Sequence, residues 1–333
     1  MAIKKPSENY ILISTKTIFM VVASAVLLWL FVQIKEILLL IFISLMLSLA
    51  LAPFVEFLGK KKIPRGVAIL IIYTVVLSIL ALVGVVALPP IIVQTTRFIN
   101  SLPQILSTVG EVPFLSRVTT DLNNFLAEQF IGASGNVIKV TVGAFSGIVS
   151  AFSLMVFTAY LLLDLDNLRE TFLFFLPAKP RKETAKVLKE IEYKLGAWLR
   201  GEFILMCVVG GATYVGLLLL GVEYAAPLAL ISGLLEVVPM IGPLISAVPG
   251  VIVGFSISPI MGLGVLGLYI LIQQLENNFI VPKVMQRTVG FNPLITLLAL
   301  LIGGKLFGVI GALLSVPITL IIVIVTKHVL EYE

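Results

Sequence analysis

The residues best placed to do chemistry in this chain are acids and amides set inside apolar sequence. Glu236 stands in GLLEVVPMIGPLISAVPG, residues 233–250, among Pro239, Gly242, Pro243 and Pro249. Hydrocarbon admits a carboxylate or a broken helix only where protein or a water-filled cavity satisfies it. The combination predicts a discontinuous membrane helix at a functional site, with Glu236 as a candidate proton or cation site. A second polar group, Gln273-Gln274-Leu275-Glu276-Asn277-Asn278, closes an apolar run just before Pro282, itself a candidate break. At about 100° per residue Gln273, Glu276 and Asn277 share one helical face. A carboxylate beside amides can coordinate a cation or hydrogen-bond a polar solute, and Gln274, Glu276 and Asn277 are taken as that lining. The same residues also fit a helix end entering water.

Other patterns carry no chemistry. Gly262-x-Gly264-x-x-Gly267 has the dinucleotide spacing, but no strand precedes it and it lies inside an apolar run, where glycines serve helix packing. Gly303-Gly304-Lys305-Leu306 lacks the first glycine and the hydroxyl residue of a phosphate loop. The sole histidine, His328, stands near the C-terminus, and Asp121, Asp164 and Asp166 all fall outside the apolar runs. The chain therefore reads as a non-enzyme, with no catalytic residue, metal site or cofactor expected. Cys207 is the only cysteine and reads as a small core residue.

Composition fixes the class. Hydrophobic residues make up 59% and charged residues 12% of the 333 residues, whereas soluble domains run near half and a quarter. Several apolar runs reach the roughly 20 residues that cross a bilayer. The expected fold is all-α and polytopic, with seven to eight membrane segments and the lipid bilayer as principal partner; a net charge of +5 reflects topology rather than nucleic acid. The regions are 1–90, three spans; 91–141, a helical insertion broken by Pro103 and Pro113; 142–163, a fourth span; 164–201, a charged amphipathic helix; and 202–333, a C-terminal membrane bundle. Pro89-Pro90 should end the third span. Gly196 and Gly201 are too weak to part the amphipathic helix from the span after it. Most lysines and arginines lie in the N-terminal tail, the GKKKIPR loop at 59–65 and the 164–201 segment. By the positive-inside rule these face the cytosol of a cell membrane, with both termini inside and 91–141 outside.

The last third contains an internal likeness. MIGPLISAVP at 240–249 aligns with VIGALLSVP at 309–317 once one residue is removed, and each follows a Pro-Leu start, at Pro227 and Pro293. Two interrupted apolar segments in corresponding places are the sequence mark of a transporter binding site. Glu236 then falls opposite Lys305. The expectation is two helix-break-helix elements, hinged at Pro239, Gly242 and Pro243 and at Gly303, Gly304 and Gly308, whose breaks bring an acid and a base together. The pair could serve transport or merely tie two hairpins.

These blocks, GLLEVVPMIGPLISAVP, QQLENNFIVPK and GGKLFGVIGALLSVP, together with Trp198–Gly201, resemble the AI-2E family of transporters, over essentially the whole chain. The resemblance implies a secondary transporter of a small polar solute. Some members are described as exporters of the quorum-sensing furanosyl diester autoinducer-2, others as sodium or lithium/proton antiporters. It also implies a homo-oligomer. From another class, a membrane scaffold without flux fits the same composition.

Overall fold

The computed structural model describes residues 15–86, 88–110, 137–175, 178–285 and 293–330, and these form an all-α polytopic membrane fold. In chain order the helices are α1 (Thr15–Gln33), α2 (Lys35–Lys60), α3 (Arg65–Val86), α4 (Leu88–Gly110), α5 (Val137–Phe174), α6 (Ala178–Leu219), α7 (Ala225–Leu235), α8 (Ile241–Ile257), α9 (Pro259–Leu275), a π-helical turn (Glu276–Ile280), α10 (Val281–Val284) and α11 (Pro293–Leu330). Among the described residues six helices are long and apolar enough to cross a membrane, and α7 and α8 are shorter apolar helices.

The prolines at 89 and 90 do end α3, and they also start α4. In the first turn of a helix the missing N–H has no intrahelical partner to lose. The apolar stripe of α4 is used for packing: Phe98, Ile105 and Leu106 join Leu217, Leu228, Val253 and Val265 in one core. The remainder of the expected insertion, 111–136, lies outside the described residues.

α5 and α6 are long because nothing in them stops a helix. α6 runs unbroken for 42 residues through Gly196 and Gly201. Their charged ends are laced together: Arg169 donates to Glu192 at 2.6 Å and to Asp166 at 3.2 Å, and Arg65 at the start of α3 reaches Asp166 at 2.6 Å. His328 near the end of α11 lies 3.6 Å from Glu190 of α6.

α2 is held to α6 through a proline. Pro53 has no N–H to give Leu49, so the Leu49 carbonyl has no helical donor. Arg200 supplies one, its Nη1 lying 3.3 Å from the Leu49 oxygen and 3.2 Å from that of Ala50. Gly196 sits directly on the same carbonyl, where any side chain would collide. Two residues before Arg200, Trp198 is buried among Met46, Leu314 and Val316. Five residues after Gly196, Gly201 leaves room for Met285. The Trp198–Gly201 block is thus where α2, α11 and the segment after α10 converge on α6.

Both predicted breaks are present. Between α7 and α8 the chain turns back over Glu236–Met240, with Val238 N bonding the Leu235 oxygen at 3.0 Å and Gly242 N the Val238 oxygen at 2.8 Å. Gly242 then touches the Leu235 carbonyl, leaving no room for a Cβ. In α11 the break is at Gly308 (φ 64°, ψ −145°), while Gly303 and Gly304, also expected at the break, stay helical. The limbs 293–307 and 309–330 fold back so that Gly303 and Gly311 lie backbone to backbone. The glycines aligned by the internal likeness, Gly242 and Gly311, are the two closest approaches among the described glycines. Met240 holds a positive φ of 68° with a bulky side chain, a conformation that costs roughly 1 kcal/mol outside glycine. Met240→Gly is expected to raise the thermal midpoint of the detergent-solubilised protein by a few degrees; an unchanged or lower midpoint would show that the turn is not strained.

Candidate functional site

The site grows from two close helix crossings. α6 and α7 approach through small residues: a Cβ on Gly210 would lie 3.3 Å from the Gly233 Cα, and one on Gly233 2.8 Å from the Met206 oxygen. Such contacts let membrane helices pack backbone to backbone. They set Glu202, two turns before Gly210, beside Glu236 at the end of α7. α8 and α9 form the second crossing, where Gly254 lies against Gly262. Gly262, first glycine of the dinucleotide-like spacing, is therefore a packing residue. Tyr269 of α9 fills the space left by Gly250, and its hydroxyl lies 3.3 Å from Ser232 Oγ on α7.

The π turn places the next acid. Widening the helix at Glu276–Ile280 turns Glu276 inward, to 5% exposure, while Gln274 and Asn277 are left exposed. Gln273 Nε2 donates to Glu276 Oε2 at 3.2 Å. Gln274 is engaged with Asn278, at 3.1 Å. π turns of this kind recur at functional sites. Of the expected polar face, Gln273 and Glu276 stay together and Asn277 is rotated away.

Three carboxyl groups from three elements are buried in this region. Glu236 and Glu202 are each 2% exposed and Glu276 is 5% exposed, and the three lie within electrostatic range of one another. Glu202 Oε1 and Glu236 Oε2 have no hydrogen-bond partner, and neither does the buried Thr213 Oγ1 further along α6. Buried polar atoms left without partners are rare and mark a place for water, a proton or a ligand. Glu202 escaped the sequence reading because it stands at the boundary between the charged segment and the apolar run, where an acid looks solvated.

The expected Glu236–Lys305 pair is not formed. Lys305 is exposed, on a hairpin whose main contact is with α6, and Glu236 faces carboxyl groups instead. The alignment equated positions in two hairpins that the fold places against different neighbours. Pro239 and Pro243 lie in the α7–α8 turn and its exit, Pro282 is exposed in α10, and Gly303, Gly304 and Gly308 belong to the α11 hairpin. Cys207 is not in the core. It is exposed in a groove of about 620 Å³ between the α3–α4 junction and the α6–α7 crossing, beside Gln94, Tyr214 and Leu234.

A bundle of membrane helices with a folded-back break and inward-facing acids has the features of a membrane transport protein. The chain belongs to the AI-2E transporter family, whose model, described as "AI-2E family transporter", matches residues 18–331. It is 27% identical over 332 residues to "Putative transport protein YueF" of Bacillus subtilis, covering 86% of this chain and 89% of that one. It is 28% identical over 310 residues to "Putative transport protein YrrI" of the same species, covering 90% and 88%. "Putative transport protein YhhT" of Escherichia coli is 29% identical over 290 residues, covering 83% and 80%.

Proposed function

We propose that this protein is a secondary transporter that moves a small polar solute, of the furanosyl diester autoinducer-2 class, by alternating access coupled to protonation of Glu236 and Glu276. The observation that carries the reading is the burial of two carboxyl groups, Glu236 at the break between α7 and α8 and Glu276 at the π turn, with Glu236 Oε2 left without a partner. Two carboxyl groups taken out of water near each other are stable together only with a proton to share, which a carboxylic acid donates and a carboxylate accepts. Losing that proton leaves two like charges in a low dielectric, which favours an arrangement that separates or hydrates them. The Glu236–Met240 turn is the element able to make that change. The orientation read from the basic residues, with both termini cytosolic, and a homo-oligomeric assembly belong to the same proposal.

The test is reconstitution. Proteoliposomes are expected to exchange labelled solute, with Glu236→Gln and Glu276→Gln each lowering net proton-driven flux at least tenfold. Sodium-dependent proton movement without solute flux would select the antiporter reading, which the paired acids also fit. A correctly folded protein giving no flux under any gradient would leave a scaffold.

A further inference from the structure

The carboxyl cluster does not stand alone. Polar side chains recur behind it on the facing surfaces of α7 and α9. On α7, Ser232 lies one turn before Glu236. On α9, Tyr269 precedes Gln273 by one turn, and Gln273 precedes Glu276 by three residues. Facing helices with polar residues at these spacings make a ladder. Its lower rung is the buried acids Glu236 and Glu276, and its upper rung is Ser232 with Tyr269, at 3.3 Å. Gln273, one turn after Tyr269 along α9, donates to Glu276 of the lower rung at 3.2 Å.

The third side of the ladder is α6. Thr213 lies between Gly210, which touches α7, and Gly216, which touches Leu268 of α9, so it faces the seam between those helices. It is fully buried, and its Oγ1 has no partner. Glu202, three turns before Thr213 on the same helix face, is likewise buried with an unpartnered Oε1. Three unpartnered buried oxygens thus border one seam, two at its lower end and one at its upper. A polar seam of this kind holds water where there is room for it, each molecule making two to four hydrogen bonds. Beyond the upper rung the character changes. Tyr269 is also part of the apolar core in which Phe98, Ile105 and Leu106 of α4 close over Leu228 and Val265.

We infer that the seam between α6, α7 and α9 is a hydrated proton path, running from Glu202, Glu236 and Glu276 to the Tyr269–Ser232 hydroxyl pair and closed above it by α4. This rests on the reading of the glutamates as the proton site and extends it with a route. In each hop one O–H bond breaks and another forms. Tyr269 gives its hydroxyl proton to a water or to Ser232 and takes one from the water on its other side, so the side chains end unchanged. The ionisable groups bordering the path are Glu202, Glu236, Glu276 and Tyr269.

Two measurements on the full chain test this. Radiolytic hydroxyl labelling is expected to oxidise Tyr269 far faster than its 8% exposure would allow, because the radicals form in adjacent water; an unlabelled Tyr269 overturns the hydrated seam. In pyranine-loaded proteoliposomes under a potential clamp, an imposed pH gradient is expected to decay through the protein. Tyr269→Phe and Thr213→Val, each nearly isosteric, should slow that decay at least tenfold while thermal midpoints stay within a few degrees of the parent's. Decay unaffected by both variants, or absent in the parent protein, overturns the path. Failure of the glutamate reading looks different: Glu236→Gln would then leave the decay intact while Tyr269→Phe still slowed it.

Discussion

Adding a single methyl group at Gly242 or Gly311 is expected to cost the protein about 3 kcal/mol or more, against the 1–3 kcal/mol usual for overpacking. The atoms met by the new Cβ are the backbone carbonyls of Leu235 and Gly303. A side chain in the way can change rotamer; a carbonyl inside a hydrogen-bonded turn cannot. Gly242→Ala and Gly311→Ala should therefore lower the yield of monodisperse protein in detergent and drop the thermal midpoint by many degrees. Gly211→Ala and Gly267→Ala are the controls, because a methyl at either meets nothing within 4 Å and alanine is the better helix former. If all four variants melt alike, the two hairpins are not closed at these glycines.

Arg200→Ala has the second largest expected effect. It removes the one side-chain donor that meets the Leu49 carbonyl among the described residues, which then stays buried and unsatisfied. Hydrogen bonds from a charged group are worth about 1.5–3 kcal/mol and an orphaned buried acceptor costs a similar amount. The loss has a specific remedy. Pro53→Ala returns an N–H to the helix at the position that bonds Leu49, so the double variant should recover at least half of the stability lost. The coupling, read from four thermal or denaturant midpoints, should exceed about 1 kcal/mol. Strict additivity would mean that Arg200 acts on α6 through something other than the carbonyl Pro53 leaves free.

Much of the architecture was legible because the membrane restricts what a sequence can do. Runs of about 20 apolar residues gave the spans. Proline and glycine clusters gave both breaks, since few other residues can stop a helix in hydrocarbon. Glu236 was legible for the same reason, as an acid with no water to explain it. What could not be read depended on which surfaces face each other. The pairing of Glu236 with Lys305 followed from matching positions in two similar hairpins, but similarity along the chain does not place the hairpins together. Glu202 looked like the last charge of a solvated helix, because its burial comes from Gly210 and Gly233 drawing α7 onto α6. The inward turn of Glu276 depends on a π segment, which no periodicity of 3.6 describes. Arg200 read as one more basic residue in a basic segment, since the free carbonyl it meets lies about 150 residues away on α2.

The length of α6 has a mechanical consequence. At 1.5 Å per residue its 42 residues make a rod of about 63 Å, roughly twice the thickness of the hydrocarbon layer. The rod carries Glu202 near its middle and is gripped at its charged end by Arg169 and His328. It is a lever with the carboxyl cluster close to its fulcrum. A tilt of about 10°, small enough to need only a repacking of glycines at the α6–α7 crossing, would sweep the far end of a 30 Å arm through about 5 Å, one helical turn's rise. On the proposed mechanism, the loss or gain of a proton at the cluster would be felt well outside the bilayer, through a stiff arm rather than a chain of contacts.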